Sequence, residues 1–374
     1  MNANRIVLIN QSTGYLMVDI VNAFAQKYDE VVLLAGGIGE MDRPLCDKVK
    51  VDRVCVYDRS STIKRLRTWL KCYWQIKKKI RKDYKNYEVV YVTNPPMSYF
   101  TALHTETPFS IVVYDIYPDA LKNIGIKPTN PIYKIWTKRN KKIFTRAKKV
   151  VVLSEGMAKV LSQYMPQEDI TVIPNWAGSD NFAPLPKKEN AFAKEHGLED
   201  KFVVMYSGNM GFTHSVDVLV DVAEKVKNND KIHFLLVGDG QKRPIIENRI
   251  KESGLTNCTV LGWQPVEVLP QSFACADIGV ITLNEDSAAV SVPSKTYNLL
   301  AVGAPLLCIC PQESEMTSLV KKYENGRCFQ ASQVNEMTEF ILQVASDEGL
   351  QKKLSDNSLK ASLDFSYHNA EKYL

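Results

Sequence analysis

With 374 residues, 45% of them hydrophobic, the chain is long enough for two domains with separate cores, and no run approaches the roughly 18 apolar residues of a membrane span. The apolar stretch near the start is too short for a signal peptide, so we expect a cytoplasmic protein. The eight cysteines lack a CxxC spacing, so we expect buried thiols and no bound metal. Residues 1–175 contain 28 Lys/Arg and 16 Asp/Glu, a charge of +12, and residues 176–374 contain 19 and 26, a charge of −7. The net charge of +5 therefore comes from a basic first half. Such a half suits contact with an anionic membrane or a nucleic acid.

The first half alternates continuous apolar runs with amphipathic segments. The runs predicted as buried strands are residues 6–9, 31–34, 89–92, 110–114, 149–153 and 171–173. This alternation predicts a parallel sheet with helices on both faces, in which ligands bind at the carboxyl ends of the strands. Gly14 and Asn94 lie at such ends. Asp115 follows another, where it either contacts a ligand or caps the next helix.

Two segments of this half are strongly basic. Residues 62–85 contain ten Lys/Arg and one acid, and residues 134–149 contain eight Lys/Arg and none. The first segment carries apolar side chains at helical spacing, namely Leu66, Trp69, Tyr73, Ile76 and Ile80. Either it is a surface helix with a solvated charged side, or it lies on anionic lipid with Trp69, Tyr73 and Trp74 at headgroup depth. The second basic segment favours lipid.

A change in composition separates the halves. Residues 178–190 have no apolar period, so we interpret them as a linker and place the boundary at residue 180. Beyond it, predicted strands at residues 202–206, 233–237 and 259–261 are each followed by a glycine turn. A strand, a glycine loop and a helix in succession point backbone N–H groups at a phosphate, and Lys242 and Arg243 follow the second turn.

Residues 292–307 contain the strongest anion-binding signal. Pro293 suits the first turn of a helix, and Ser294, Lys295 and Thr296 add hydroxyls and an ammonium group at its positive end. We expect this helix to stop at Gly303, before a strand at residues 306–309.

Four second-half segments carry a family resemblance: YSGNMGFTHSVDVL, LLVGDGQKR, VLGWQPVEVLPQSFACADIGV and VPSKTYNLLAVGAPLL. Together they resemble the donor domain of family 4 glycosyltransferases of the GT-B fold. In the first half, NPPMSYFTAL, VVYDIYPDAL, VVVLSEGM and VIPNW resemble the branch that builds bacterial capsule and O-antigen repeat units. The resemblance implies an α/β protein with two Rossmann-like doubly wound domains facing across a cleft. It also implies an acceptor domain at residues 1–180, a donor domain at residues 181–359 and a C-terminal helix, at about residues 360–374, that crosses back.

The resemblance also implies site residues. It puts the donor diphosphate between the loop 208–211 and the backbone of residues 293–295, and the base against residues 261–264, where Trp263 contacts the base or merely packs. Taken together with the strand-end argument, our candidate donor residues are Gly208, Asn209, Met210, Gly211, His214, Gly238, Lys242, Arg243, Gly262, Trp263, Glu285, Asp286, Pro293, Ser294, Lys295, Thr296 and Asn298. Our candidate acceptor residues are Gly14, Tyr15, Asn94 and Asp119, with Asp115 orienting the acceptor and Lys295 stabilising the leaving phosphate.

The sequence departs from the family at four positions. The family usually has two glutamates eight positions apart, and this chain has Val290 and Asn298 there. Asn298 still bonds to a ribose, more weakly than a carboxylate, and Glu285 or Asp286 is our candidate to replace the first glutamate. Many members carry a histidine and an arginine where this chain has Tyr114 and Phe212.

The resemblance implies a retaining, metal-independent glycosyltransferase, and we expect no cofactor. It would move a sugar from a nucleoside diphosphate, with UDP favoured, to a polyprenyl-diphosphate-linked glycan at the inner face of the membrane, which residues 62–85 and 134–149 would contact. Two alternatives remain: a GT-B sugar-nucleotide epimerase, and a catalytically inactive nucleotide-sugar-binding scaffold. We expect no nucleic-acid partner because no recognition motif accompanies the basic half.

Overall fold

The computed structural model describes residues 4–39, 42–124, 126–212, 214–285 and 292–374. It divides into two compact units, one formed by Met1–Gly178 with Tyr367–Leu374 and the other by Ser179–Ser366. The segment expected as a single C-terminal helix contains two elements. The first is the end of an α-helix, Glu348–Asp364, in the second unit, and the other is a 3-10 helix, Tyr367–Tyr373, in the first.

The first unit contains a seven-stranded sheet in which all paired strands are parallel. Its spatial order is β3-β2-β1-β4-β5-β6-β7, so the strand order reverses between β1 and β4, as in doubly wound folds. The strands are β1 (Arg5–Thr13), β2 (Glu30–Ile38), β3 (Val49–Arg53), β4 (Glu88–Val92), β5 (Phe109–Val113), β6 (Lys149–Val152) and β7 (Ile170–Val172). The short strand β3 was not predicted, because only alternate residues of it are apolar.

Helices accompany this sheet along the chain. The α-helices are Tyr15–Lys27, Thr62–Lys82, Pro131–Phe144 and Glu155–Leu161, and the 3-10 helices are Ser98–His104, Asp119–Ile124, Gln167–Asp169 and Tyr367–Tyr373. The helix Thr62–Lys82 begins at an N-cap where Ser61 accepts from the backbone N–H of Lys64. No helix in the described part of the chain is long and apolar enough to cross a membrane.

The second unit repeats the arrangement with six parallel strands in the order β10-β9-β8-β11-β12-β13. They are β8 (Phe202–Ser207), β9 (Ile232–Val237), β10 (Cys258–Leu261), β11 (Ile278–Thr282), β12 (Leu306–Ile309) and β13 (Gly326–Phe329). The α-helices are Ala191–Glu195, Val218–Lys225, Arg243–Glu252, Leu269–Phe273, Lys295–Ala301, Glu315–Tyr323, Val334–Ser346 and Glu348–Asp364, with a 3-10 turn at Ser215–Asp217. Two doubly wound α/β units of Rossmann type confirm the predicted fold class.

The sheet of the second unit is buried on both faces. Val204 and Tyr206 belong to one hydrophobic cluster, whereas Val203 and Met205, which alternate with them on β8, belong to another. Since successive side chains of a strand point to opposite faces, a strand covered on both sides must be apolar at every position. This explains why the continuous apolar runs predicted these strands well.

A buried charge cluster in the first unit contacts the 3-10 helix Tyr367–Tyr373. Asp19 accepts two hydrogen bonds from Arg43, at 2.9 and 2.7 Å, and one from the indole N–H of Trp176 at 2.8 Å. The Arg43 guanidinium lies over the ring of Tyr367, and the ring of Tyr373 meets that of Trp176 edge-on. We call Asp19, Arg43 and Trp176 the Asp19 cluster.

The basic helix Thr62–Lys82 packs through most of the predicted apolar face. Ile76 and Ile80 are buried as predicted, and Trp69 and Tyr73 are partly buried. Cys72 is also buried, but Leu66, which was expected on the same face, is 49% exposed. Its exposed apolar side chains follow helical spacing as Ile63, Leu66, Leu70 and Trp74. We call these four residues the exposed stripe.

Candidate functional site

The predicted donor residues converge at one edge of the second sheet. Because every strand pair is parallel, the loops after β8, β9, β10 and β11 all leave from the carboxyl edge. These loops contain Gly208, Gly238, Gly262 and Glu285. The strand order reverses between β8 and β11, the position where ligands bind in such sheets.

Two glycine turns at this edge pack backbone against backbone. The backbone N–H of Gly208 donates to Val237 O at 2.9 Å, and that of Met210 donates to Asp239 O at 2.8 Å. Gly238 has a φ of +134°, and a Cβ there would lie 1.9 Å from the carbonyl oxygen of Gly208. No other residue fits that position, so the loop 208–211 is held in place by main-chain contacts.

Lys295 lies against this loop. Its Nζ is 3.7 Å from the centroid of the Tyr206 ring, and a Cβ on Gly208 would approach the Nζ to 2.9 Å. The Tyr206 hydroxyl in turn donates to Asn209 O at 2.7 Å. The structure therefore brings together two predicted parts, the glycine loop and Lys295. Burial lowers the pKa of Lys295 to about 7, although the side chain keeps some solvent access.

The other two predicted cations are already paired. Lys242 Nζ lies 2.6 Å from Asp217 Oδ1, and Arg243 Nε lies 2.8 Å from Glu247 Oε1. By contrast, no carboxylate among the residues that the structure describes comes within 4.0 Å of Lys295 Nζ. Lys295 is thus the cation of this edge whose charge has no counterion in the described structure.

His214 lies close to the same charge. Its Nδ1 is 3.2 Å from the Thr282 hydroxyl, and its carbonyl oxygen accepts a hydrogen bond from Lys242 at 2.8 Å. Burial lowers the pKa of His214, and the positive charges of Lys295 and Lys242 lower it further. The ring is therefore neutral near pH 7 and serves as a hydrogen-bonding group.

The helix Lys295–Ala301 begins two residues after Pro293, where the sequence predicted its start. Ser294 is its N-cap without a side-chain cap bond, so Pro293 precedes the helix, and Gly303, with a φ of +76°, follows it as expected. Thr296 differs from the expectation: it is fully buried, and its hydroxyl is directed at Met316 Sδ, 3.6 Å away. Asn298 is partly buried and has an interaction partner.

The remaining donor residues line more open positions. The Trp263 ring is 61% exposed, so it is not a packed core aromatic. Glu285 is exposed and lines a cavity of about 460 Å³ together with Ser215, Asn284 and Cys310. Asp286 and the family departure at Val290 lie outside the described residues.

Three predicted residues of the first unit lie at the carboxyl edge of its own sheet. Gly14 caps the helix Tyr15–Lys27, and the space where a Cβ would lie is open for 4 Å. Asn94 follows β4, and its carbonyl oxygen accepts from the Gln11 N–H. Asp115 follows β5 and is exposed, and none of the described residues donates a hydrogen bond to its carboxylate. Desolvation by the surrounding protein raises the pKa of Asp115.

Two other predicted acceptor residues make structural contacts. The Tyr15 hydroxyl donates to Trp176 O at 3.0 Å. The Asp119 carboxylate accepts hydrogen bonds from Lys122, Tyr133, Tyr164 and Gln163. Burial acts to raise the pKa of Asp119, but these hydrogen bonds outweigh it and lower the pKa. Asp119 therefore organises its own surroundings and has little capacity left for a ligand.

A cavity of about 660 Å³ lies elsewhere, at the amino edge of the second sheet. Lys187 and Asp277 face each other there in a close ion pair, and Asp277 also accepts from Gln351 and the Val203 N–H. The charges of Lys187 and Asp277 thus satisfy each other. Within the described ranges, no group of three His, Cys, Asp or Glu side chains is arranged to hold a metal ion.

Sequence reasoning missed Tyr206 and Thr282. Tyr206 reads as an ordinary buried strand residue, but its ring contacts the ammonium group and its hydroxyl holds the glycine loop. Thr282 is the last residue of β11 and contacts His214. Both residues could have been found in the sequence, because each has a polar side-chain atom near the carboxyl end of a predicted strand. The same criterion identified Asp115.

Two family models match the chain in succession. The model of Glycosyltransferase Family 4 matches residues 14–177, and that of Glycosyl transferases group 1 matches residues 187–361. Together they cover most of both units.

Two individual relatives share less than a quarter of their residues with this chain over the aligned regions. The chain is 23% identical over 212 residues to "Probable glycosyltransferase WbjE" of Pseudomonas aeruginosa, covering 56% of this chain and 53% of that protein. It is 24% identical over 169 residues to WcaI of Escherichia coli (strain K12), named as a colanic acid biosynthesis glycosyl transferase, covering 45% and 41%. The chain spans about half the length of the relatives it matches.

Solved structures share the fold over the whole chain. HepE of Anabaena in complex with UDP superposes with a TM-score of 0.73 at 15% identity, covering 99% of this chain and 98% of that one. WaaG, a glycosyltransferase involved in lipopolysaccharide biosynthesis, gives 0.69 at 14% identity, with 98% of each chain covered. With both family models in order on two Rossmann-like units, the chain belongs to the family 4 glycosyltransferases of the GT-B fold.

Proposed function

We propose that this protein is a retaining glycosyltransferase that transfers a sugar from a UDP-sugar to a lipid-linked glycan during assembly of a bacterial surface polysaccharide. The names of WbjE and WcaI support glycosyl transfer and polysaccharide assembly, and the UDP complex of HepE supports the donor class. The donor is a substrate, and the proposed reaction uses no cofactor.

The ammonium group of Lys295, which has no carboxylate partner among the described residues, is the observation that carries the proposal. Lys295 adjoins the main chain of Gly208, while its neighbours Lys242 and Arg243 are neutralised by carboxylates. A diphosphate bound there would meet one uncompensated charge and the backbone N–H groups at the start of a helix. Charge fixed at this position stabilises the phosphate as it leaves the sugar, so the reaction needs no divalent ion.

In a retaining transfer without a side-chain nucleophile, the leaving phosphate takes the proton of the acceptor hydroxyl on the same face of the sugar. The chain then has to orient the acceptor. The Asp115 carboxylate suits this role, because it is exposed at a strand end and receives no hydrogen bond from the described residues. Gly14 and Asn94, at the same sheet edge, complete the proposed acceptor side.

A peripheral position on the inner face of the membrane fits the surface of the first unit. The exposed stripe of the helix Thr62–Lys82 is interspersed with Lys and Arg, and Ile132 and Ile135 are 57% and 54% exposed on the second basic helix. Apolar side chains among basic ones match the chemistry of an anionic bilayer surface. A lipid-linked acceptor would be reached from this position.

A panel of UDP-glucose, UDP-galactose and UDP-N-acetylglucosamine tests the donor assignment by thermal shift. A donor at about 100 times its dissociation constant adds roughly 2.7 kcal/mol of stability. Lys295→Ala should lose most of this shift and of the transfer to lipid-linked acceptor, and Lys225→Ala, an exposed lysine on the same unit, should keep both. Equal shifts in the two variants would remove Lys295 from the diphosphate site.

The same experiment separates the alternatives. An epimerase would convert the nucleotide sugar without any acceptor. A nucleotide-sugar-binding scaffold would show the thermal shift without transfer. This alternative is tested because Asn298 has an amide where the family has a carboxylate. Transfer that requires an acceptor would exclude both.

A further inference from the structure

Three partly exposed aromatic rings of the first unit have no part in the donor site. The rings of Tyr57 and Trp69 stack with centroids 6.0 Å apart and planes 20° apart, and Trp69 meets Tyr117 edge-on at 6.2 Å. Tyr117 is supported from below by the buried Trp136, at 5.6 Å and 20°. We call Tyr57, Trp69 and Tyr117 the aromatic platform. Supporting rings limit its movement, so it has a defined shape before any ligand arrives.

The amide of Gln11 holds the platform at the carboxyl edge. Gln11 Nε2 donates to Cys55 O at 3.0 Å and to Thr68 O at 3.3 Å, two carbonyls that lie just before Tyr57 and Trp69 in the chain. The Gln11 backbone N–H donates to Asn94 O at 2.9 Å. Tyr117 follows Asp115 by two residues. The platform therefore lies at the sheet edge that carries Asn94 and Asp115.

Arg65 adds an uncompensated cation to the platform. It lies one helical turn before Trp69, its Nε is buried without a hydrogen-bond partner, and no carboxylate of the described residues lies within 4.0 Å of its guanidinium. Burial is the main cause that raises the pKa of Tyr117. The negative charge of Asp115 raises this pKa further and the positive charge of Arg65 lowers it, so both charged groups lie near the Tyr117 ring. A guanidinium N–H without a partner is costly, and an anionic ligand would offset that cost.

We infer that the aromatic platform and Arg65 form an acceptor subsite for a sugar ring that carries an anionic group. The negative faces of the aromatic rings attract the C–H groups of the sugar, and the planar guanidinium suits a carboxylate or phosphate. Asp115 then accepts a hydrogen bond from a sugar hydroxyl. This inference rests on the proposed glycosyl transfer and specifies its acceptor. The anion has two sources, a uronic acid carboxylate or the phosphate at the reducing end of the sugar.

Three probes test the subsite on the full-length protein: methyl glucoside, methyl glucuronide and glucose 1-phosphate. We expect at least one anionic probe to bind about tenfold more tightly than methyl glucoside in a saturation-transfer NMR titration, as one charge-assisted hydrogen bond allows. Preference for the glucuronide identifies a uronic acid, and preference for the phosphate identifies the reducing-end phosphate. Equal binding of all three, or binding of none, overturns the inference.

Two variants localise the effect. Arg65→Gln should abolish the anionic preference, whereas Lys64→Gln, an exposed neighbour with the same change of charge, should keep it. Trp69→Leu should weaken all three probes. An unchanged preference in Arg65→Gln contradicts the inference. Stabilisation by UDP should be the same in all of these variants. If UDP does not stabilise the wild-type protein, that result counts against the proposed donor and says nothing about the aromatic platform.

Discussion

Lys295 shows how one residue joins folding to binding. Burial lowers its pKa to about 7, from 10.5 for an ordinary lysine. Below the folded pKa both the folded and the unfolded chain bind the proton, and the full cost of burying the charge is present. Between the two values only the unfolded chain holds the proton, so this group makes the ligand-free protein more stable as pH rises through that window. A buried ammonium group without a counterion among the described residues thus lowers stability and raises the affinity for an anion.

This combination predicts a proton linked to donor binding. At pH 8 Lys295 is mostly neutral in the free protein, and a bound diphosphate favours its charged form. We expect UDP binding at pH 8 to take up roughly one proton, measured calorimetrically from the dependence of the binding heat on the buffer's ionisation enthalpy. Lys295→Gln should take up none, and Lys225→Gln should resemble the wild type. The same uptake in Lys295→Gln would place another group at the diphosphate.

At the residue scale, backbone positions could be predicted more readily than side-chain partners. Gly208 and Lys295 were identified because glycine turns after strands and a lysine at a helix start have local causes. The pairing of Lys242 with Asp217 could not be predicted, because it joins residues 25 positions apart through the tertiary fold. The same holds for Asp119, whose Tyr164 partner is 45 positions away.

At the element scale, the helix Thr62–Lys82 shows what periodicity leaves open. Its pattern predicted an amphipathic helix correctly, but it contains two apolar stripes and only one of them packs. The helix buries Cys72, Ile76 and Ile80 and leaves the exposed stripe toward its beginning. Spacing along one helix does not reveal which stripe faces the protein, because that depends on the position of the surrounding elements.

The exposed stripe predicts a membrane contact that single substitutions weaken. Leu70→Glu should lower partitioning onto phosphatidylglycerol vesicles about tenfold, because it replaces an inserting apolar side chain with a repelled carboxylate. Sedimentation with vesicles measures this. Leu363→Glu, at a 76% exposed leucine of the second unit, is the matched control and should bind as the wild type does. Equal binding to phosphatidylcholine vesicles would contradict the electrostatic part of the prediction.

At the scale of the whole molecule, the Asp19 cluster unites distant parts of the chain. It joins a helix near the start to Trp176, 157 residues later, and to the C-terminal segment through Tyr367. The sequence indicated two doubly wound domains through continuous apolar strands, but it could not indicate this cluster. A buried aspartate within an apolar helix has no local signature that distinguishes it from an exposed one.

Removal of the Asp19 carboxylate should destabilise one unit selectively. Asp19→Ala removes the carboxylate that accepts hydrogen bonds from both Arg43 and Trp176, and we expect a loss of about 3–5 kcal/mol in the free energy of unfolding. Urea denaturation followed by tryptophan fluorescence and circular dichroism should show an earlier transition for the first unit only. Asp364→Ala, which breaks an exposed pair with Lys322, should cost less than about 1 kcal/mol. Equal effects of the two substitutions would refute the structural role of the Asp19 cluster.

The return of residues 367–374 to the first unit sets an order of events during synthesis. The second unit is one continuous stretch, Ser179–Ser366, so all of its residues are made before residue 367. The first unit includes Tyr367–Leu374 and lacks part of its packing until these residues leave the ribosome. Of the two units, the one whose synthesis begins earlier is therefore completed later, and its unfinished surface stays exposed while the second unit is made.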